Sequence, residues 1–177
     1  MLQKPSIPTP PYAPGMSRQS GPWQIGPNRT LSLDQPRLIA ILNLTPDSFS
    51  DGGRLATVDA ALRAARQAIE SGASMLDIGG ESTRPGASRV DAPSQLARVL
   101  PVIKAIRAAD PPLADIPISI DTTLEPVARA ALDAGATVIN DVSGATENPA
   151  ILTLAAERGA GIILMHRERP PDADRYS

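Results

Sequence analysis

The side chains best suited to chemistry fall directly after apolar runs. Asn43 opens the polar part of "ILNLTPDSFSDGG", Asp77 starts "DIGGESTRPGA", Asp121 ends the run in "PISIDTT", and Asn140 and Asp141 do the same in "VINDVSG". A carboxylate accepts hydrogen bonds from ring N–H and amino groups, and an asparagine amide both donates and accepts. Asp121 and Asn140, at equivalent strand ends facing one mouth, make a polar pair able to read a heterocycle. Asp or Asn at a strand end also caps the next helix, which is the plain alternative for each residue taken singly. The loops add further groups. Phe49, the single Phe of the chain, stands in a polar loop with Pro46, Asp47 and Asp51. An exposed Phe on a loop tip suits a lid closing over a flat substrate. Asn43 to Gly53 is also long for a βα connection. In the second loop two glycines let the backbone approach a ligand, Thr83 offers a hydroxyl, and Arg84 a fork suited to phosphate or carboxylate. Thr83, Arg84 and Pro85 read as functional. Asp77 and Glu81 read as structural, fixing the loop through Arg84. His166 is the only histidine and no cysteine is present, so neither a thiolate metal site nor a histidine zinc cluster is available. Met165, beside His166 in "GIILMH", reads as pocket lining.

The elements that must position these groups form a repeating unit after Pro36. Apolar strands end at Leu42, Ile78, Ile120, Ile139 and Met165. In "TVDAALRAARQAIESGA", Val58, Leu62, Ala65 and Ile69 fall at helical spacing behind a capping Thr57. Leu96, Val99, Ile103 and Ile106 do so in the next helix. Pro126 and Pro149 suit first helical turns. Three helices stop at Gly-Ala pairs, Gly72-Ala73, Gly135-Ala136 and Gly159-Ala160, which is βα punctuation. The order is β-α-β-α-β-α-β-α-β with a parallel sheet. An open doubly wound sheet gathers its functional groups at one switch point. Here all five strands end in them, which favours a (β/α)8 barrel.

Residues 1–36 contain eight prolines and read as a largely flexible leader. Within it, "PWQIGPNRTLSL" around Trp23 is a candidate hairpin covering one end of the domain. Lys4, Arg18 and Arg29 outnumber the acids there, as in a transit peptide, but the prolines oppose the amphipathic helix such peptides need. The barrel domain is expected over residues 37–177. Aromatics make up only 2% of the 177 residues and the net charge is −2. No basic stripe with interleaved aromatics is present, which argues against nucleic acid. No apolar run reaches the ~20 residues of a membrane helix. The lack of cysteine fits a reducing cytosol, so a cytoplasmic location is expected.

Together these stretches resemble the dihydropteroate synthases of folate biosynthesis, members of the pterin-binding (β/α)8 barrel superfamily. The matching segments are "ILNLTPDSFSDGG", "DIGGESTRPGA", "ISIDT", "INDVSG" and "LMH". The resemblance implies a transferase that condenses 4-aminobenzoate with (7,8-dihydropterin-6-yl)methyl diphosphate and releases pyrophosphate, with Mg²⁺ on the diphosphate. It places Asn43 at the metal and diphosphate, Thr83 on the substrate, Asp121 and Asn140 on the pterin ring, and Met165 beside it. Asp47, Phe49 and Asp51 with Arg84 and Pro85 would close over the aminobenzoate. The implied partners are these small molecules, with a homodimer as a candidate assembly.

The family's sixth-strand Asp-Pro-Gly, seventh-strand Ser-Arg-Lys and eighth-strand Arg-x-His motifs are absent from the 177 residues. The expectation is therefore an incomplete barrel of about five βα units, inactive alone. Two other readings stand beside it: the pterin-binding domain of a methyltetrahydrofolate methyltransferase, and a non-catalytic pterin-binding remnant. "TPDSFSDGG" and "ESTRPG" resemble the synthase loops and argue against the first of these.

Overall fold

The computed structural model describes residues 21–45, 58–82 and 87–165. It begins with an antiparallel hairpin, β1 (Trp23–Gly26) and β2 (Arg29–Leu31). Five strands follow, β3 (Leu38–Asn43), β4 (Ala73–Gly79), β5 (Ile118–Asp121), β6 (Val138–Asp141) and β7 (Gly161–Leu164). They lie side by side in chain order, all parallel. Helices α1 (Val58–Glu70), α2 (Ala92–Arg107), α3 (Glu125–Asp133) and α4 (Ala150–Arg158) connect them. This is the alternation expected from the sequence, and it is one arc of a βα barrel. The ladder ends one residue later than the apolar runs do at β3, β4 and β5, so Asn43, Gly79 and Asp121 are the last residues of their strands. At the fifth run it stops sooner, at Leu164, and leaves Met165 just outside.

Local chemistry accounts for the helix ends. Asp91 accepts from the Ser94 backbone N–H at 3.0 Å and caps α2. Hydrogen bonds from the Ser94 side chain and then its backbone hold the Asp91 carboxyl below the usual range. Pro126 sits in the first turn of α3, while Pro149 is the residue just before α4. Gly72, Gly135 and Gly159 all have positive φ, the conformation that lets a helix stop and the chain turn into the next strand. Thr57 lies outside the described residues.

Strands β4, β5 and β6 are buried on both faces, and the apolar residues of the sheet divide between the two. Leu42, Leu76, Ile78, Ile118, Ile120 and Ile139 join the core built with the helices. Met75 and Val138, on the other face, form a second cluster with Ile25 of the hairpin, and Trp23, Leu31 and Ile163 pack against it. The hairpin thus covers the N-terminal end of the inner face, as the stretch around Trp23 suggested. The Arg29 guanidinium donates to the Asp115 carbonyl and ties the hairpin down. Arg107 donates to the carbonyls of Ala114, Gly135 and Ile116 at 2.8–2.9 Å. Burial pushes its guanidinium down to about 10. At the β3 edge, inner-face Ile39 and Ile41 are exposed, Ile41 by 66%.

Candidate functional site

Strand register puts Asn43, Gly79, Asp121 and Asn140 in one rank across β3, β4, β5 and β6. The rank lies at the C-terminal end of the sheet, on the inner face. Gly79 makes the rank a cradle. A Cβ placed there would stand 3.3 Å from Asn43 Oδ1 and 3.5 Å from Asp121 Oδ2, so the two side chains lean over the glycine from either side.

One layer deeper, register aligns Ile41, Asp77, Ser119 and Val138. Ser119 Oγ donates to Asp77 Oδ1 at 2.5 Å, and Asn140 Nδ2 donates to Asp77 Oδ2 at 3.0 Å. Asp77 is only 5% exposed. Burial pushes its carboxyl above the ordinary range, and the bonds from Ser119 and Asn140 partly oppose this. The reading of Asp77 as a loop-fixing acid is corrected here: it sits within β4, and its described partners are Ser119 and Asn140. Asn140 is itself 9% exposed, and its Oδ1 is buried with no hydrogen-bond partner among the described residues. A buried amide oxygen left unpaired costs free energy that a ligand N–H would recover.

Asp141, the neighbour of Asn140, faces the other way. It is fully buried and accepts from the backbone N–H groups of Ser143 and Ala145 at 2.8 and 3.0 Å. Asp141 therefore fixes the turn after β6, and neither it nor Asn140 caps the next helix, since α4 starts at Ala150 behind Pro149 with no side-chain cap bond.

A second network joins the loops around the rank. Glu81 accepts from Gln95 Nε2 at 2.8 Å and from the Val90 N–H at 3.2 Å, and pairs with Arg89 at 3.4 Å. Arg89 also reaches Glu147 at 2.7 Å and Thr123 Oγ1 at 3.2 Å. One guanidinium thus links the loops after β4, β5 and β6. The structural role expected for Glu81 has partners in Arg89 and Gln95. Gln95 closes the network by accepting from Thr122 Oγ1 at 2.9 Å. Sequence reasoning passed over Ser119, Arg89 and Gln95. A hydroxyl between isoleucines in "ISI" was the one available signal.

Met165 lies just past β7, half exposed, with its N–H on the Asp141 carbonyl at 3.0 Å. Asp47, Phe49, Asp51, Thr83, Arg84, Pro85 and His166 lie outside the described residues.

Chemically, the rank offers hydrogen-bond acceptors to a polar ring edge, and hard oxygen donors at Asn43 and Asp121. No group of three or more His, Cys, Asp or Glu able to hold a metal occurs among the described residues. The described residues alone therefore form no closed protein cage. They leave room for a cation such as Mg²⁺, which keeps waters and phosphate oxygens and takes only one or two protein oxygens. Among the described residues no helix is long and apolar enough to cross a membrane.

Comparison with known proteins places this geometry in context. A family model described as pterin binding enzyme matches residues 39–177. The dihydropteroate synthase of Synechocystis is 52% identical over 129 residues, which is 73% of this chain and 43% of that protein. Xanthomonas albilineans dihydropteroate synthase, solved with 4-aminobenzoic acid, superposes with a TM-score of 0.74 at 45% identity, over 89% of this chain and 55% of that one. Burkholderia cenocepacia dihydropteroate synthase, complexed with 7,8-dihydropteroate, gives 0.68 at 40% identity, over 85% and 48%. The chain spans about half the length of these relatives.

Proposed function

This chain belongs to the pterin-binding enzyme family, and we propose that it carries the pterin end of a dihydropteroate synthase, a transferase of folate biosynthesis. In that reaction the amine of 4-aminobenzoate attacks the methylene carbon of (7,8-dihydropterin-6-yl)methyl diphosphate. The carbon–oxygen bond breaks and pyrophosphate leaves. The observation that carries the reading is the rank of Asn43, Asp121 and Asn140 around Gly79, on the face where a barrel binds substrate.

In this reading Asp121 and Asn140 accept the N–H groups of the pterin ring and fix its orientation. Asn43 lies toward the diphosphate. Asn43 offers an oxygen toward Mg²⁺, which when bound would neutralise the charge gathering on the leaving pyrophosphate. Thr83 contacts the substrate and Met165 lines the pterin side. Asp47, Phe49, Asp51, Arg84 and Pro85 shape the aminobenzoate site and exclude water from it. The barrel domain covers residues 37–177 and the Pro-rich leader residues 1–36. A cytoplasmic location suits a chain without cysteine, and a homodimer is the assembly to test.

The experiment is a calorimetric titration of the full-length protein carrying this sequence with a reduced 6-hydroxymethylpterin, followed by turnover with the diphosphate and 4-aminobenzoate. Saturable pterin binding and release of pyrophosphate are expected. Pterin binding that survives loss of both Asp121 and Asn140 would overturn the assignment.

A further inference from the structure

We infer that Asp77 is a positioning residue that holds the Asn140 side chain in one orientation, with the amide NH₂ turned inward and the carbonyl oxygen kept for a ring N–H. The inference rests on the pterin reading of the site and adds to it the residue that sets the site's polarity. An asparagine amide is nearly symmetric in shape, so packing alone does not choose between its ends. Asp77 chooses. Its Oδ2 accepts from Asn140 Nδ2 at 3.0 Å, and its Oδ1 is already taken by the Ser119 hydroxyl at 2.5 Å. Two donors converging on the two oxygens suit the carboxylate form, and a carboxylate can only accept. It therefore admits one orientation of the amide and opposes the flipped one, which would set oxygen against oxygen. With Nδ2 so engaged, Oδ1 is the end left over, and it is the buried atom with no partner among the described residues. Asn140 thus stands beside Asp121 as a second acceptor, and the pair selects a heterocycle edge that presents N–H donors. Ser119 belongs to the same device, since it pins the carboxylate whose other oxygen faces Asn140.

The test is a double-mutant cycle in the full-length protein carrying this sequence, with a reduced 6-hydroxymethylpterin as the calorimetric probe. Asp77→Asn, which can donate as well as accept, frees the Asn140 amide to flip. It is expected to weaken pterin binding by about tenfold. Asn140→Ala should lose a similar factor, and the double variant should bind no worse than Asn140→Ala alone, because Asp77 acts through Asn140. Losses that multiply in the double variant would overturn the inference, as would wild-type affinity in Asp77→Asn. If Asn140→Ala and Asp121→Ala both keep wild-type affinity, the pterin reading itself fails and the inference falls with it. If Asn140→Ala and Asp121→Ala both weaken binding while Asp77→Asn does not, the inference alone fails. A measurement without variants guards against misfolding. By NMR, the Asn140 side-chain NH₂ protons of the wild-type protein should exchange slowly with solvent before ligand is added. Rapid exchange would overturn the inference.

Discussion

Gly79 and Gly80 are adjacent, and neither has positive φ, yet alanine at the two positions should have opposite consequences. A methyl on Gly79 would enter the cradle, 3.3 Å from Asn43 Oδ1 and 3.5 Å from Asp121 Oδ2. Both are ends of side chains that can rotate aside. The strand backbone accepts alanine, and reduced freedom of the unfolded chain contributes about 0.4–1 kcal/mol toward stability. Gly79→Ala should thus stay within about 1 kcal/mol of the wild type. On the proposed reading its effect belongs to the ligand, because a displaced Asn43 would no longer meet the diphosphate. Losing one contact to a charged group costs about 1.5–3 kcal/mol, or tenfold and more in affinity. A methyl on Gly80 would meet backbone instead, 3.1 Å from Gln95 Cα and 3.2 Å from the Gln95 carbonyl oxygen. Helix α2 cannot rotate away and must shift, at a cost of about 1–3 kcal/mol. Urea unfolding of both variants, with titration of the diphosphate substrate in the presence of Mg²⁺, separates the two effects. If Gly79→Ala destabilises as much as Gly80→Ala, or binds the diphosphate like the wild type, the cradle argument is wrong.

Asp121→Ala should weaken pterin binding by about tenfold or more, from loss of a buried hydrogen-bond acceptor, measured by calorimetry. Trp23→Ala should lower stability by up to about 3 kcal/mol, since Trp23 packs on the inner cluster, with the loss read from the urea midpoint. Asp77 should leave a signature in pH. Its folded value lies above the ordinary 3.8, so between the two values the folded chain binds a proton that the unfolded chain releases. The stability from this group is then complete below 3.8 and declines as pH rises through the raised value. Unfolding midpoints across the acid range should differ in slope between the wild type and Asp77→Asn, and identical slopes would refute the burial argument.

The alternation of strands and helices was legible because glycine punctuation and helical periodicity are local signals. Gly72, Gly135 and Gly159 do have the positive φ that a helix stop needs. Asp121 and Asn140 were legible as a pair because each interrupts an apolar run at its end. The face of Asp77 was not. A strand buried on both sides shows no polar–apolar alternation, so nothing in "SMLDIG" says which residues look inward. Only register against Ser119 and Asp121 settles it. The same holds for Arg89, whose partners Glu81, Thr123 and Glu147 come from three loops that sequence cannot juxtapose.

The hairpin that closes the N-terminal end has a consequence for how folding can be followed. Trp23 is the single tryptophan of the chain. Its Cζ2 lies 3.1 Å from where a Cβ of Gly161 would be, at the start of β7. Its seat is therefore finished by a strand at the far end of the described chain. Contacts across so long a loop are slow to form. Tryptophan emission should then report the last stage of assembly, after β3 to β6 have paired, although the residue itself is near the N-terminus. In stopped-flow refolding, circular dichroism should recover ahead of fluorescence, and the lag between the two signals would time the arrival of β7.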